Sequence, residues 1–186
     1  QRQMCIRDSD KDGKVMHDAG HTVFNAGNTY SGKTLVNGGL LTIASHTADG
    51  VTGMGSSEVT IASPGTLDIL ASTNSAGDYT LTNALKGDGL MRVQLSSSDK
   101  MFGFTHAAGT EFAGVAQFKD SIFTLERDNT AALTHAMLQS DIENTTSVNV
   151  GEQSIGGLAM NGGTLIFDTD IPCLLYTSPS PRDISG

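Results

Sequence analysis

Apolar and polar residues alternate over four short stretches that share one frame. Gly39-Leu40-Leu41-Thr42-Ile43, Gly65-Thr66-Leu67-Asp68-Ile69, Gly89-Leu90-Met91-Arg92-Val93 and Gly163-Thr164-Leu165-Ile166-Phe167 each open on glycine and carry apolar residues at the second and fourth positions after it. Gly114-Val115-Ala116-Gln117-Phe118 is a weaker fifth copy. The glycines stand 26, 24, 25 and 49 residues apart, the last close to two periods, so that a rung near residue 139 lacks the signature. Side chains on a strand alternate between its faces. The frame therefore predicts Leu41/Ile43, Leu67/Ile69, Met91/Val93, Phe118 and Leu165/Phe167 inside, with Thr42, Asp68 and Arg92 facing solvent and Ile166 as the exception. Thr34-Leu35-Val36, Val59-Thr60-Ile61 and Leu158-Ala159-Met160 read as a preceding strand. Asn37-Gly38-Gly39, Ser63-Pro64-Gly65 and Asn161-Gly162-Gly163 read as the corners between the two, where Gly and Asn tolerate positive φ.

A unit of about 25 residues with two or three short strands cannot bury its apolar face alone. Stacking each unit on the next, at roughly 4.8 Å per coil, joins the inward residues into continuous columns. The expected fold is all-β, a right-handed parallel β-helix of about 25 residues per coil. A β-sandwich is the structural rival, but it calls for antiparallel strands with turns every 8–12 residues or so, and the longer recurrence favours the solenoid. The composition agrees: 22 glycines, 5% aromatics and no Trp suit many short strands joined by tight turns. No run approaches the length of a membrane-spanning helix.

The two ends change the inventory. Met4-Cys5-Ile6-Arg7-Asp8-Ser9 can be written ATG TGT ATA AGA GAC AG, and its reverse complement, read in the frame TGT CTC TTA TAC ACA, spells Cys173-Leu174-Leu175-Tyr176-Thr177. One DNA word thus accounts for both ends. It resembles the transposon-end adapter of sequencing libraries, with Ser178 to Asp183 as its continuation. Residues 1–9 and 173–186 are accordingly expected to be adapter-derived and residues 10–172 to be the natural β-helix segment. Cys5 and Cys173 then drop out, which removes a disulfide, a thiolate metal site and a cysteine nucleophile from consideration. Three of the 11 basic and two of the 20 acidic residues also drop out, moving the formal charge from −9 to −10. An acidic surface poor in Lys and Arg argues against nucleic acid as a partner.

The stretch from Asn28-Thr29-Tyr30-Ser31-Gly32 through Leu35-Val36-Asn37-Gly38-Gly39 to Ile43 resembles the passenger-associated repeat of autotransporters. That repeat opens on Asn-x-Tyr-(Ser/Thr)-Gly and closes on a Gly-Thr-Leu strand, with Leu40 here in place of the usual Thr. Asp128-Asn129-Thr130-Ala131-Ala132-Leu133 and Ser154-Ile155-Gly156-Gly157-Leu158 also resemble recurrent passenger phrases, and the likeness covers most of residues 21–170. The resemblance implies a secreted, surface-displayed segment, an adhesin or its stem, anchored to the outer membrane in the full-length protein. Its implied partners are a C-terminal outer-membrane β-barrel, absent from this chain, and host or bacterial surface ligands. A carbohydrate-active β-helix enzyme and a phage tail-spike segment are the alternatives.

Candidate chemistry is sparse, and no catalytic, cofactor-binding or metal residue is assigned. Asp8-Ser9-Asp10-Lys11-Asp12-Gly13 has the oxygen ligands and sixth-position Gly of an EF-hand loop, but Ala19 occupies the twelfth position, where a bidentate carboxylate is needed. His17 and His21 have the i, i+4 spacing of a helical metal pair, yet their surroundings do not read as helix. The histidines are expected in solvated loops. Gly87-Asp88-Gly89-Leu90 resembles a calcium-binding nonapeptide that needs tandem copies and occurs once. No Gly-x-Ser-x-Gly elbow or phosphate-cradling loop is present. Asp68 and Arg92 lie one coil apart and are expected to form a surface ion pair. The expected protein is non-catalytic and free of cofactors.

Overall fold

A strand with one apolar side and no partner of its own must be covered by another of its kind, and repetition at a fixed interval supplies that partner. The computed structural model describes residues 13–46, 53–55, 58–71, 78–95, 101–104, 111–119, 121–125, 132–141, 146–150 and 154–168. Residues 1–12 and 169–186, including both adapter-like ends, lie outside the described residues. The first strands in chain order are β1 (Val15–His17), β2 (His21–Phe24), β3 (Thr34–Val36), β4 (Leu40–Ile43), β5 (Val59–Ile61) and β6 (Thr66–Leu70). They are followed by β7 (Tyr79–Leu81), β8 (Leu85–Gly87), β9 (Leu90–Gln94), β10 (Met101–Phe104), β11 (Glu111–Phe112) and β12 (Val115–Lys119). The series ends with β13 (Ile122–Leu125), β14 (Leu133–Ser140), β15 (Thr146–Val150), β16 (Ile155–Met160) and β17 (Thr164–Asp168).

Every pairing between these strands is parallel. They form three sheets along one stack: β1-β3-β5-β8-β11, β2-β4-β6-β9-β12-β14-β16 and β7-β10-β13-β15-β17. The fold is a parallel β-solenoid, and the parallel pairing of β4 with β6, Leu41 opposite Leu67, excludes the sandwich. Along the second sheet His21, Leu40, Thr66, Leu90, Val115, Met137 and Gly157 stand opposite one another, at intervals of 19, 26, 24, 25, 22 and 20 residues. Seven rungs at the usual strand spacing span about 29 Å.

From β4 to β12 the predicted inward columns are where the frame places them. Leu41, Ile43, Leu67, Ile69, Met91, Val93, Ala116, Phe118 and Leu138 are fully buried. Phe118 stacks on Phe123 with ring centroids 4.0 Å apart; Phe102 meets Phe118 tilted at 5.9 Å, Phe104 meets Phe123 edge-on at 5.8 Å, and Phe102 and Phe104 meet each other edge-on at 5.7 Å. The rung expected near residue 139 is present as β14. A rung that the frame had missed begins at Gly20: β2 pairs with β4, but its inward second position is Thr22, which hides the apolar signature. Gly39 turns its corner at φ 68°, and a Cβ there would stand 2.5 Å from the Gly20 carbonyl of the coil before. Only glycine meets both demands.

The frame fails at the downstream end. Leu158-Ala159-Met160 is not a strand of the first sheet but lies in β16, the last rung of the second. Thr164–Asp168 is not a second-sheet rung but β17, paired with β15 in the third. The cause is β14. This eight-residue strand runs straight through Ala136, the position in register with the Gly114 corner and with Gly156 inside β16, and so merges the first two sides of the coil. Its register with β16 shifts between Leu133 and Met137 to absorb the difference. The glycine at 163 therefore marks the next corner. The side chains of Leu165, Ile166 and Phe167 lie outside the described set. Among the described residues no helix is long and apolar enough to cross a membrane.

Candidate functional site

Because each coil repeats the one before, a polar residue at one outward position is brought beside its equivalents one coil away, and the stack gathers them into columns. On the first sheet Lys33, Glu58, Lys86 and Glu111 form such a column, joined by ion pairs of 3.0, 3.0 and 2.6 Å. Lys86, reinforced by Lys33, holds the Glu58 carboxyl below the usual carboxylate range, and Glu111 with Glu58 raises the Lys86 ammonium. The sequence carries a signal for this column. The alternating charges lie 25, 28 and 25 residues apart, close to the coil period, but only charges read at that period would disclose it.

The second sheet carries a deeper column. Asp68 and Arg92 are in register, and Arg92 Nε donates to Asp68 Oδ1 at 2.9 Å. Gln94 Nε2 donates to the same oxygen at 2.8 Å, and one coil on, Gln117 Nε2 donates to Asp141 Oδ2 at 2.7 Å. Here the expected solvent exposure is corrected: Thr42 is 3% and Asp68 5% exposed, although both lie on the outward side of the sheet. His21 is bonded to Thr42 Oγ1 at 2.9 Å, and Arg92 and Gln94 close over Asp68, so longer side chains from adjacent coils cover shorter ones. Asp68–Arg92 is a half-buried pair rather than a surface one.

The histidines also depart from expectation. His17 lies in β1 and His21 in β2, on two different sheets either side of the Gly20 corner, which rules out the helical i, i+4 geometry. His17 and His46 are buried rather than solvated, whereas His21 and His135 are exposed strand residues and His106 lies outside the described residues. His46 Nε2–H donates to the Leu70 carbonyl at 2.7 Å, and its ring meets Tyr79 edge-on at 4.4 Å. Its Nδ1 is buried with no hydrogen-bond partner among the described residues, and burial lowers its pKa, partly offset by the Leu70 carbonyl. These contacts fix the neutral Nε2–H tautomer and give the ring a packing role.

The remaining motifs resolve into coil geometry. Asn28 donates to the Gly53 carbonyl at 3.1 Å beside a parallel bridge to Met54. The Tyr30 hydroxyl is buried and hydrogen-bonds Thr34 Oγ1 at 2.6 Å; burial pushes the phenol pKa up. A Cβ at Gly32 would collide with the Gly13 carbonyl. Asp88 of the Gly87-Asp88-Gly89 run accepts the Ser63 backbone N–H at 2.9 Å, tying one corner to the next. A shallow groove of 290 Å³ lies at those corners, lined by Ser63, Pro64, Gly65, Thr66, Asp88, Gly89, Leu90 and Val115. The acidic residues of the EF-hand-like run lie outside the described residues, and Val15, which follows it, is buried in β1. Among the described residues no three His, Cys, Asp or Glu side chains gather as a metal-binding group.

Comparison with known proteins finds similar sequences in one organism. It is 91% identical over 172 residues to the uncharacterized lipoprotein YdeK of Escherichia coli (strain K12), an alignment covering 92% of this chain and 13% of that protein. It is 32% identical over 94 residues to the uncharacterized protein YuaQ of the same strain, covering 50% of this chain and 7% of the relative. The chain thus spans a small part of the relatives it matches. No family model matches it, and no solved structure does.

These findings correct the resemblance to autotransporter passengers. The near-identical relative is described as a lipoprotein, and the assignment as a passenger, with its adhesin or stem role, falls with that description. Neither the polysaccharide-cleaving enzyme nor the tail spike gains support. The physical reason is visible in the motif itself. Asn28, Tyr30 and Gly32 bridge coils, fill the interior and allow a close backbone approach, tasks that any parallel solenoid sets whatever its route of export.

Proposed function

We propose that this chain is a non-catalytic β-solenoid segment of a lipid-anchored protein of the bacterial cell envelope. One observation carries the non-catalytic reading: in the two charged columns of the described residues, the charges are joined along the stack, acid to base, instead of converging on a common point. Lys86 stands between Glu58 and Glu111, and Arg92 lies against Asp68. Hydrolysis by paired carboxylates needs two acids facing one gap at a set separation, and a cation between the acids serves stacking instead. The envelope reading comes from the 91% identity to a lipoprotein.

Metabolic labelling with palmitate, followed by fractionation of cells making the longer protein, tests the anchor. Label incorporation and sedimentation with membranes are expected; an unlabelled protein in the soluble fraction overturns the reading. Glu58→Gln, Asp68→Asn and Glu111→Gln test the absence of catalysis. Each is expected to change stability alone. Loss of an enzymatic activity from a folded variant overturns the non-catalytic assignment.

A further inference from the structure

Among the described residues, the inward side chains are covered at one end of the stack and exposed at the other. At the upstream end the inward Val15 and Phe24 are 7% and 4% exposed. At the downstream end Leu158 and Met160 stand opposite the buried Leu138 and Ser140, in the same inward columns, yet are 45% and 42% exposed. On β16 the usual order is inverted, with the outward Gly157 and Ala159 less exposed than the inward Leu158 and Met160. Edge strands are ordinarily guarded by charge, proline or a covering element. Ile155-Gly156-Gly157-Leu158-Ala159-Met160 contains neither charge nor proline, in a chain of formal charge −9.

We propose that the edge of β16 left unpaired by the described strands, with the exposed Leu158 and Met160 beside it, forms a docking surface for a further parallel β-coil. That coil pairs on β16 as β16 pairs on β14 and sets apolar side chains over Leu158 and Met160 at two alternate inward positions. Its source is the longer protein. The chain covers 13% of the length of the lipoprotein relative, and each interface already in the stack has this geometry. A coil of the same kind continues the columns without a change of pattern.

Methionine oxidation by dilute hydrogen peroxide reads this surface directly. Met16, Met137 and Met160 are exposed and Met54 and Met91 fully buried, so the chain holds its own controls. In the 186-residue chain Met160 is expected to react at the rate of Met137, roughly tenfold or more faster than Met91. In a chain continued beyond Pro172 by two coil lengths of the longer protein, Met160 is expected to slow to the rate of Met91, with Met16 and Met137 unchanged. Equal reactivity of Met160 in the two chains overturns the proposal. So does protection that rises with the concentration of the short chain and not with extension, which assigns the surface to a second copy. The pair Leu158→Lys and Met160→Lys gives an independent reading. The melting temperature is expected to fall in the extended chain and to stay unchanged in the short one; no change in either overturns the proposal.

Discussion

Two columns of charge run up the same stack and differ in depth. Lys33, Glu58, Lys86 and Glu111 stand at the edge of the first sheet, where the lysine side chains are 62% and 37% exposed. Asp68 and Arg92 stand one side over, with side chains 7% and 28% exposed. The stacking geometry is the same, since both columns join residues one coil apart. Their energetics are not. Water screens the first column and competes for every partner, and such pairs contribute about 0–1 kcal/mol. In the second, the Asp68 carboxylate has lost most of its water and depends on Arg92 and Gln94 for replacement, so removing a partner strands a buried charge. Coil stacking fixes which residues meet, and depth decides how much the meeting matters.

The largest expected effect breaks the deep column. Arg92→Ala leaves Asp68 with Gln94 alone and is expected to destabilise the chain by about 2 kcal/mol, less than a fully buried pair because solvent reaches the guanidinium. Urea denaturation measures it, and Asp68→Ala in the same background is expected to recover most of the loss. Full cost without recovery would mean that Arg92 acts by packing and not by charge.

Acid separates the columns next. Lys86 and Lys33 hold the folded-state pKa of Glu58 below its ordinary value of 4.5, so the unfolded chain takes up the proton first. The stabilisation from Glu58 is complete above that ordinary value, shrinks as pH falls from it and is lost through the lowered folded value. Melting temperatures of the wild type and Glu58→Gln are expected to differ by about 1–2 °C near neutrality and to converge in acid.

Lys86→Gln removes two exposed pairs at once and is expected to lower the melting temperature at low salt by less than Arg92→Ala does. Salt near 1 M, where screening acts within about 3 Å, is expected to erase the difference. A deficit that survives high salt would place Lys86 with the deep column. The smallest effect comes from extending the exposed column. Lys14 precedes the Val15–Thr34 pair and so sits beside Lys33, like charge against like. Lys14→Glu continues the alternation and is expected to stabilise by a few tenths of a kcal/mol at low salt, detectable as a small rise in urea midpoint.

The sequence made the interior legible because alternation is a local property. Leu41/Ile43, Leu67/Ile69 and Met91/Val93 announce a strand with one apolar side, and equal spacing turns strands into coils. Depth was not legible. Nothing in the residues around Thr42 or Asp68 tells that His21, Arg92 and Gln94 will cover them, since those residues lie a coil away. The merged corner at β14 was hidden for a related reason: β14 runs straight through Ala136, in register with the Gly114 corner, and β16 does the same through Gly156, so a glycine at this position no longer marks a corner. The motif at Asn28, Tyr30 and Gly32 was read correctly as solenoid and wrongly as lineage, because geometric demands recur wherever coils stack.

The unequal coil intervals carry a consequence for descent. Rungs keep their register while the chain between them takes 19 to 26 residues, so corners absorb changes of length that strands do not feel. Doubling a flexible loop adds only about 0.6 kcal/mol of closure entropy, whereas a single residue inserted within a rung turns its apolar positions outward. Insertions therefore accumulate at corners, and duplication of a whole coil adds a rung that fits at once on both neighbours. A gene of this kind can lengthen by copying units, and its products are expected to diverge first in the segments between rungs.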